Sequence, residues 1–295
     1  MSAAMSHIFL PIGFERSECI EAVDEFGEAV VKEVASLLKI EVLPGGSDEK
    51  IPAVRIGNAE PAAEDGYVPW EKPYVFFGVI YCRKDCCAHY IRVKKKVRED
   101  RGLLQQALRR AMLLAICRRV LAEDVFLMHG AVLFCPWMQK AVIVFGESGI
   151  GKSTCSRRFL AQGGDFLADD MFMLRFDENG ECFVQPLPTM SGFDVYDISV
   201  KFSKAVKVER AYQLYRGEDD RIEPAEPIQW RLWLSSSLNN FLEYPMNWLP
   251  VEFHRELFMR QLGGVARIYK AFGQKRILGD LEGHIYEHIK NDTMS

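Results

Sequence analysis

The sequence predicts an α+β protein, and three observations predict it. Val125 to Cys135 and Ala141 to Phe145 are apolar runs separated only by Pro136 to Lys140, a spacing that suits a hairpin and leaves no room for a crossover helix. Ala141 to Gln162 reads as strand, glycine-rich loop and helix in succession. Ahead of both, a helical stretch from Cys19 to Leu38 is followed by strand-like runs over Tyr74 to Val93. The 295 residues are 48% hydrophobic and 26% charged, enough to bury a sizeable core.

Taken in order, residues 1–97 form an N-terminal α+β module and 98–295 a second, larger domain. In the module, the helix over Cys19 to Leu38 leads into a loop rich in Gly, Pro, Asp and Glu from Pro44 to Asp65, and Asp85 to Cys87 is a turn between strands. No nucleotide motif or carboxylate pair lies there; partner binding, homo-oligomerisation and covering of the core all stay open for it. Lys94 to Lys96, with Arg92 and Arg98, reads as a solvated strand end or linker, the alternative being a dock for an acidic peptide. Asp100 to Val120 places Leu103, Leu104, Ala107, Leu108, Ala111, Leu114 and Ala115 on one apolar helix face, which is packing.

The stretch after the hairpin carries chemistry. Gly146, Glu147, Ser148, Gly149, Ile150, Gly151, Lys152, Ser153 and Thr154 spell G-x-x-x-x-G-K-[ST], the Walker A motif of P-loop proteins. A strand feeds it and a helix from Lys152 to Gln162 leaves it, so backbone N–H groups and the positive helix end converge on phosphate. Lys152 reaches the β- and γ-phosphates and the Ser153 hydroxyl meets Mg²⁺. Past the helix, Phe166 to Ala168 is an apolar strand ending in Asp169 and Asp170, which can hold Mg²⁺ and accept a proton from an attacking hydroxyl. Strand resumes over Met171 to Phe176, and Asp177 to Gly180 is a turn.

Met128-His129-Gly130-Ala131, then the loop Phe145 to Thr154, then Leu167-Ala168-Asp169-Asp170, resemble in order and spacing the catalytic core of bacterial HPr kinase/phosphorylase and its relatives. The resemblance implies a mixed, largely antiparallel β core with flanking helices, like the nucleotide-binding core of phosphoenolpyruvate carboxykinase. It makes Lys152 the phosphate ligand, Ser153 and Asp170 the metal ligands and Asp169 the base, with His129 lining the site. Arg267 sits where related kinases place a late arginine that steadies the transferring phosphoryl charge. Thr154 stands where the HPr enzymes carry an acid, and their glycine-rich substrate signature is not recognisable between Pro186 and Glu209. Other relatives phosphorylate a serine of a ribosomally made peptide precursor, so the implied acceptor is a peptide or protein hydroxyl, and the implied cofactors are ATP, with GTP an alternative, and Mg²⁺. The residues leave two further readings open, a nucleotide-gated binding protein and a simple ATPase.

A net charge of −4 and a pI near 5.9 argue against a nucleic-acid partner. Ile8 to Phe14 is short, interrupted by Pro11 and Gly13 and without a basic leader, so neither a signal peptide nor a membrane partner is expected and the location is cytoplasmic. Most of the eight cysteines read as core filler; Cys82, Cys86 and Cys87 with His89 match no standard zinc spacing. Toward the C-terminus, Asp194 to Asp220 mixes short apolar runs with charges, and Arg221 to Gln229 reads as a loop over the site. Trp230, Trp233, Phe241, Tyr244 and Trp248 read as core, and a helix from Pro250 to Leu262 is closed by Gly263 and Gly264.

Overall fold

The computed structural model describes residues 6–10, 18–38, 40–44, 53–69, 78–83, 88–94, 96, 99–100, 103, 114, 125–187, 205–217, 221–239, 251–273, 275–279 and 285–295. The chain is mixed α+β, built as two compact units: Met1–Glu123 with Asp197–Ser203 and Pro245–His254, and Asp124–Tyr196 with Lys204–Tyr244 and Arg255–Ser295. Among the described residues, each unit holds one seven-stranded, mostly antiparallel sheet.

The first sheet comprises β1 (Ser6–Leu10), β2 (Glu18–Ala22), β3 (Leu43–Pro44), β4 (Val54–Gly57), β5 (Tyr67–Pro69), β6 (Gly78–Arg83) and β7 (His89–Val93), in the order β3-β1-β2-β4-β7-β6-β5. Helix α1 (Glu25–Leu38) packs on β1, β2 and β4 and buries Val30, Val31, Val34 and Ala35. The helix expected from Cys19 therefore starts six residues later. Its start is set by Asp24, whose carboxylate accepts the Gly27 N–H at 2.7 Å as an N-terminal cap and the Asn58 N–H at 2.6 Å. Glu18–Ala22 instead pairs antiparallel with β1 and parallel with β4. Similarly, the expected loop from Pro44 to Asp65 contains β4. The expected turn at Asp85 to Cys87 lies outside the described residues, as does the helix from Asp100 to Val120 apart from Asp100, Leu103 and Leu114. Cys19, Cys82, Cys135, Cys155 and Cys182 are buried.

His89 lies directly across from Cys82 on this sheet and is buried, and among the described residues neither ring nitrogen has a hydrogen-bond partner. Burial pushes its pKa from 6.5 to about 4. The unfolded chain then binds a proton that the folded chain refuses between these values, so stability is full above pH 6.5 and is lost as pH falls toward 4. We expect a loss of about 3 kcal/mol from this group, at ~1.4 kcal/mol per pKa unit. Denaturant unfolding of the wild type and His89→Leu across pH 7 to 4 checks it: the substituted protein should show the shallower decline, and parallel declines would contradict the assignment.

The second sheet holds β8 (Val125–Cys135), β9 (Lys140–Phe145), β10 (Asp165–Phe176), β11 (Cys182–Pro186), β12 (Val206–Arg216), β13 (Arg221–Pro224) and β14 (Lys275–Gly279). Its order is β11-β10-β8-β9-β12-β14-β13, and β11 also pairs with β12, so five strands close on themselves. The expected hairpin is β8 and β9, paired antiparallel from Ala131↔Val144 to Cys135↔Lys140. β12 runs parallel to both β9 and β14. Helices cover both faces. On one, Trp230, Leu234 and Leu238 of α3 (Pro227–Asn239) and Ile268 of α4 (Val251–Phe272) pack with Phe126, Met128, Phe145 and Phe172. On the other, Cys155 and Phe159 of α2 (Lys152–Ala161) and Ile285 and Ile289 of α5 (Ile285–Met294) pack with Leu133, Val142 and Tyr212.

Of three C-terminal expectations, two change and the buried Trp230 holds. The stretch Arg221 to Gln229 is β13 followed by the start of α3 rather than a loop. Trp230 is fully buried and its indole N–H donates to the Lys275 carbonyl at 3.1 Å, while Phe241, Tyr244 and Trp248 lie outside the described residues. Helix α4 passes through Gly263 and Gly264 and ends before Gly273. Gly264 serves close approach: a Cβ there would sit 2.5 Å from the Phe126 ring. Among the described residues no helix is long and apolar enough to cross a membrane.

Candidate functional site

The hairpin delivers Phe145 into the glycine-rich loop, and α2 leaves it. Gly151 caps α2 at φ 112°, a conformation that a side chain would strain. The first N–H groups of α2 have no acceptor within the helix and open onto a cavity of about 390 Å³. His129, Ser148, Gly149, Gly151, Lys152, Ser153, Thr154, Asp169 and Asp170 line it. Of the loop residues named from sequence, Gly146, Glu147 and Ile150 complete the turn without lining the cavity.

Lys152 is only 8% exposed, and its ammonium donates to the carbonyls of Gly146 and Glu147, both at 3.0 Å. Two of its three protons are thereby taken up by its own loop. Burial lowers its pKa, while the charges of Asp169 and Asp170 act the other way. The Ser153 hydroxyl donates to Asp169 Oδ1 at 3.1 Å. Asp169 has its pKa raised, by burial first and by the Asp170 charge, against the Ser153 hydrogen bond, Lys152 and Arg157. His129 Nδ1 lies 3.1 Å from Asp170 Oδ1.

How two adjacent strand residues share one cavity is a matter of backbone. The acids were expected at a strand end, but β10 runs on through them for twelve residues. Its register against β8 slips between Phe166 and Ala168, a bulge that puts Leu167 and Ala168 together in the Phe126 core and sets Asp169 opposite Ala131. Strict alternation would then send Asp170 to the face of Phe172. Instead Asp170 has φ 123°, one of two non-glycine residues with positive φ among those described, and its carboxylate reaches His129. Such a conformation costs roughly 1–3 kcal/mol and persists where the surroundings impose it. Asp170→Gly should consequently be more stable than Asp170→Ala by about 1–2 kcal/mol, both lacking the carboxylate. Equal denaturation midpoints for the two would show that no strain resides there.

Arg267 is not brought to this cavity. It is carried on α4, with its guanidinium 5.6 Å from the Phe176 ring and 5.9 Å from that of Phe126. Phe176 lies six residues along β10 from Asp170, roughly 20 Å at ~3.3 Å per residue. The cations near the cavity are others. Arg157, one turn after Ser153, acts on Asp169 through its charge, and Arg216 at the end of β12 donates to the Gly149 carbonyl at 3.3 Å. Neither is marked in the sequence; only the pairing of β12 with β9 brings Arg216 to the loop.

An α+β unit whose glycine-rich loop, buried lysine and two carboxylates face one cavity has the makings of an anion- and cation-binding site. Residues 93–261, more than half of the chain, match the family described as SynChlorMet cassette protein ScmC, and the chain belongs to that family. No curated protein matches. Among solved structures, the chain is similar to the Hpr(Ser) kinase/phosphatase from Coxiella burnetii, at 18% identity over 34% of this chain and 70% of that one, with a TM-score of 0.26.

Proposed function

We propose that the protein is an ATP- and Mg²⁺-dependent kinase that moves the γ-phosphoryl group to a hydroxyl, a serine, of a peptide or protein. The observation that carries this reading is the convergence of Lys152, Ser153, Asp169 and Asp170 on one cavity at the N-terminal end of α2. The order of the His129, loop and Asp169-Asp170 motifs, which resembles the HPr kinase core, supports it from the sequence side.

The residues fit both ligands. Lys152 and the free N–H groups of α2 suit the phosphates of ATP. A hydroxyl and two carboxylates are hard oxygen donors, and Mg²⁺ is held by one or two carboxylates plus substrate phosphates rather than by a closed protein cage. Ser153 and Asp170 would hold the ion; Ser153 can keep its proton on Asp169 while offering its lone pairs. Bound there, Mg²⁺ supplies charge neutralisation on the phosphates. Asp169, with its raised proton affinity, takes the proton of the acceptor hydroxyl as that oxygen attacks the γ-phosphorus and the bond to the ADP oxygen breaks. His129 orients Asp170. Catalysis then rests on positioning and electrostatics.

The test is γ-labelled ATP with Mg²⁺ in an extract of the source cell, comparing wild type with Asp169→Asn and resolving proteins, peptides and small molecules. Label entering a peptide or protein with the wild type alone supports the reading. Label released solely as free phosphate would make the protein an ATPase, and ATP binding without turnover would make it a nucleotide-gated binding protein.

A further inference from the structure

A transferring phosphoryl group spreads negative charge over its equatorial oxygens, and a cation beside them lowers the barrier. The loop lysine is partly committed to the Gly146 and Glu147 carbonyls, Arg157 is engaged electrostatically with Asp169, and Arg267 lies beside the Phe126 and Phe176 rings. Arg216 remains. Parallel pairing of β12 with β9, in the register Gln213↔Phe145, runs the last residues of β12 alongside the start of the glycine-rich loop. The strand end is held on its other side by β14, with Arg216 opposite Gly279 and the Gly217 N–H donating to the Gly279 carbonyl at 3.2 Å. A hydrogen-bonded strand therefore carries the guanidinium to the loop tip, where Nη2 meets the carbonyl of Gly149, a cavity-lining residue. A guanidinium has five N–H donors in a planar fork suited to two phosphate oxygens at once. One such donor serves Gly149, and the side chain is exposed at that contact.

We propose that Arg216 is a phosphate-binding residue of this site, contacting the terminal phosphate of bound ATP and neutralising the charge that develops on it during transfer. This rests on the kinase reading and supplies the cationic role that the resemblance to related kinases implies for Arg267. A lysine at 216 could supply the charge but not the two-pronged hydrogen bonding.

The experiment measures dissociation constants for ATP and ADP, each with Mg²⁺, on the full chain of wild type, Arg216→Lys and Arg216→Ala, together with label transfer by Arg216→Ala with and without added guanidinium chloride. With Arg216→Ala, ATP should weaken about 10- to 100-fold, the range for losing a hydrogen bond to a charged group, while ADP changes little. Arg216→Lys should recover only part of the loss, and low millimolar guanidinium should raise transfer by Arg216→Ala but not by the wild type. An equal loss for ATP and ADP would reduce Arg216 to a prop for the loop tip and overturn the proposal, as would no loss at all. Failure of the kinase reading looks different: wild type that binds ATP without transferring label overturns that reading and the transfer half of the proposal, whereas the ATP-over-ADP preference still tests the contact. A wild type that binds neither nucleotide overturns both.

Discussion

Asp169→Asn is expected to lower phosphoryl transfer by about 10²- to 10⁴-fold, the range for a positioned general base, while making the protein more resistant to heat. Both effects have one cause. Burial is the largest influence on this carboxyl, and with the neighbouring Asp170 charge it outweighs Ser153, Lys152 and Arg157, so the folded-state pKa stands above the ordinary carboxylate value. A raised value makes Asp169 a better proton acceptor. It also means that the folded protein binds more protons than the unfolded chain between the unfolded and folded pKa values. Stability is therefore greatest below that window, declines as pH rises through it, and stays reduced at neutral pH. Asparagine keeps an oxygen for the Ser153 hydroxyl and removes the buried charge. At pH 7 its melting temperature should exceed the wild type's, and the gap should close as the buffer is acidified below the window. The wild-type transfer rate should fall on the acid side at a pH above the usual carboxylate range. Full transfer by the asparagine variant would pass the base's role to another group, and a lower melting temperature would show that the ionised form holds the fold together.

What could be read in advance was local. The β8–β9 hairpin, α2 and the loop between them follow from residue type and short spacing: continuous apolar runs, a short break opened by Pro136, and glycines ahead of a lysine. Misreadings arose where one residue serves two physical ends. Glycine stops helices and also lets them pack closely, and at Gly264 contact with Phe126 prevailed. Cys19, Ile20 and Ala22 suit either a helix face or a strand, and the cap at Asp24 decided between them. The acid pair was visible, but the bulge at Leu167 and the inverted φ of Asp170, which turn both carboxylates to one side, depend on the register against β8. Least legible was the place of Arg216 beside the loop, because the contact of β12 with β9 joins residues far apart in the chain and leaves no periodic trace.

Lys152→Met should weaken ADP as well as ATP, by about 10- to 100-fold, since an ammonium that reaches the β- and γ-phosphates meets the β-phosphate of both nucleotides. That pattern separates it from Arg216, whose loss is expected to discriminate between them. Methionine keeps most of the buried stem's packing and removes the charge, so calorimetric titration of folded variant reports the ammonium itself. Stability should also fall, for two reasons that can be told apart. The Gly146 and Glu147 carbonyls lose a shared donor, and Asp169 and Asp170 lose a nearby positive charge that offsets their repulsion. The second part shrinks when Asp169 carries no charge, leaving only the Asp170 share. In an Asp169→Asn background, Lys152→Met should then cost less than in the wild type, with a coupling of about 0.5–3 kcal/mol for groups in one network. Strict additivity would mean that the electrostatic link of the ammonium to Asp169 contributes nothing to the fold.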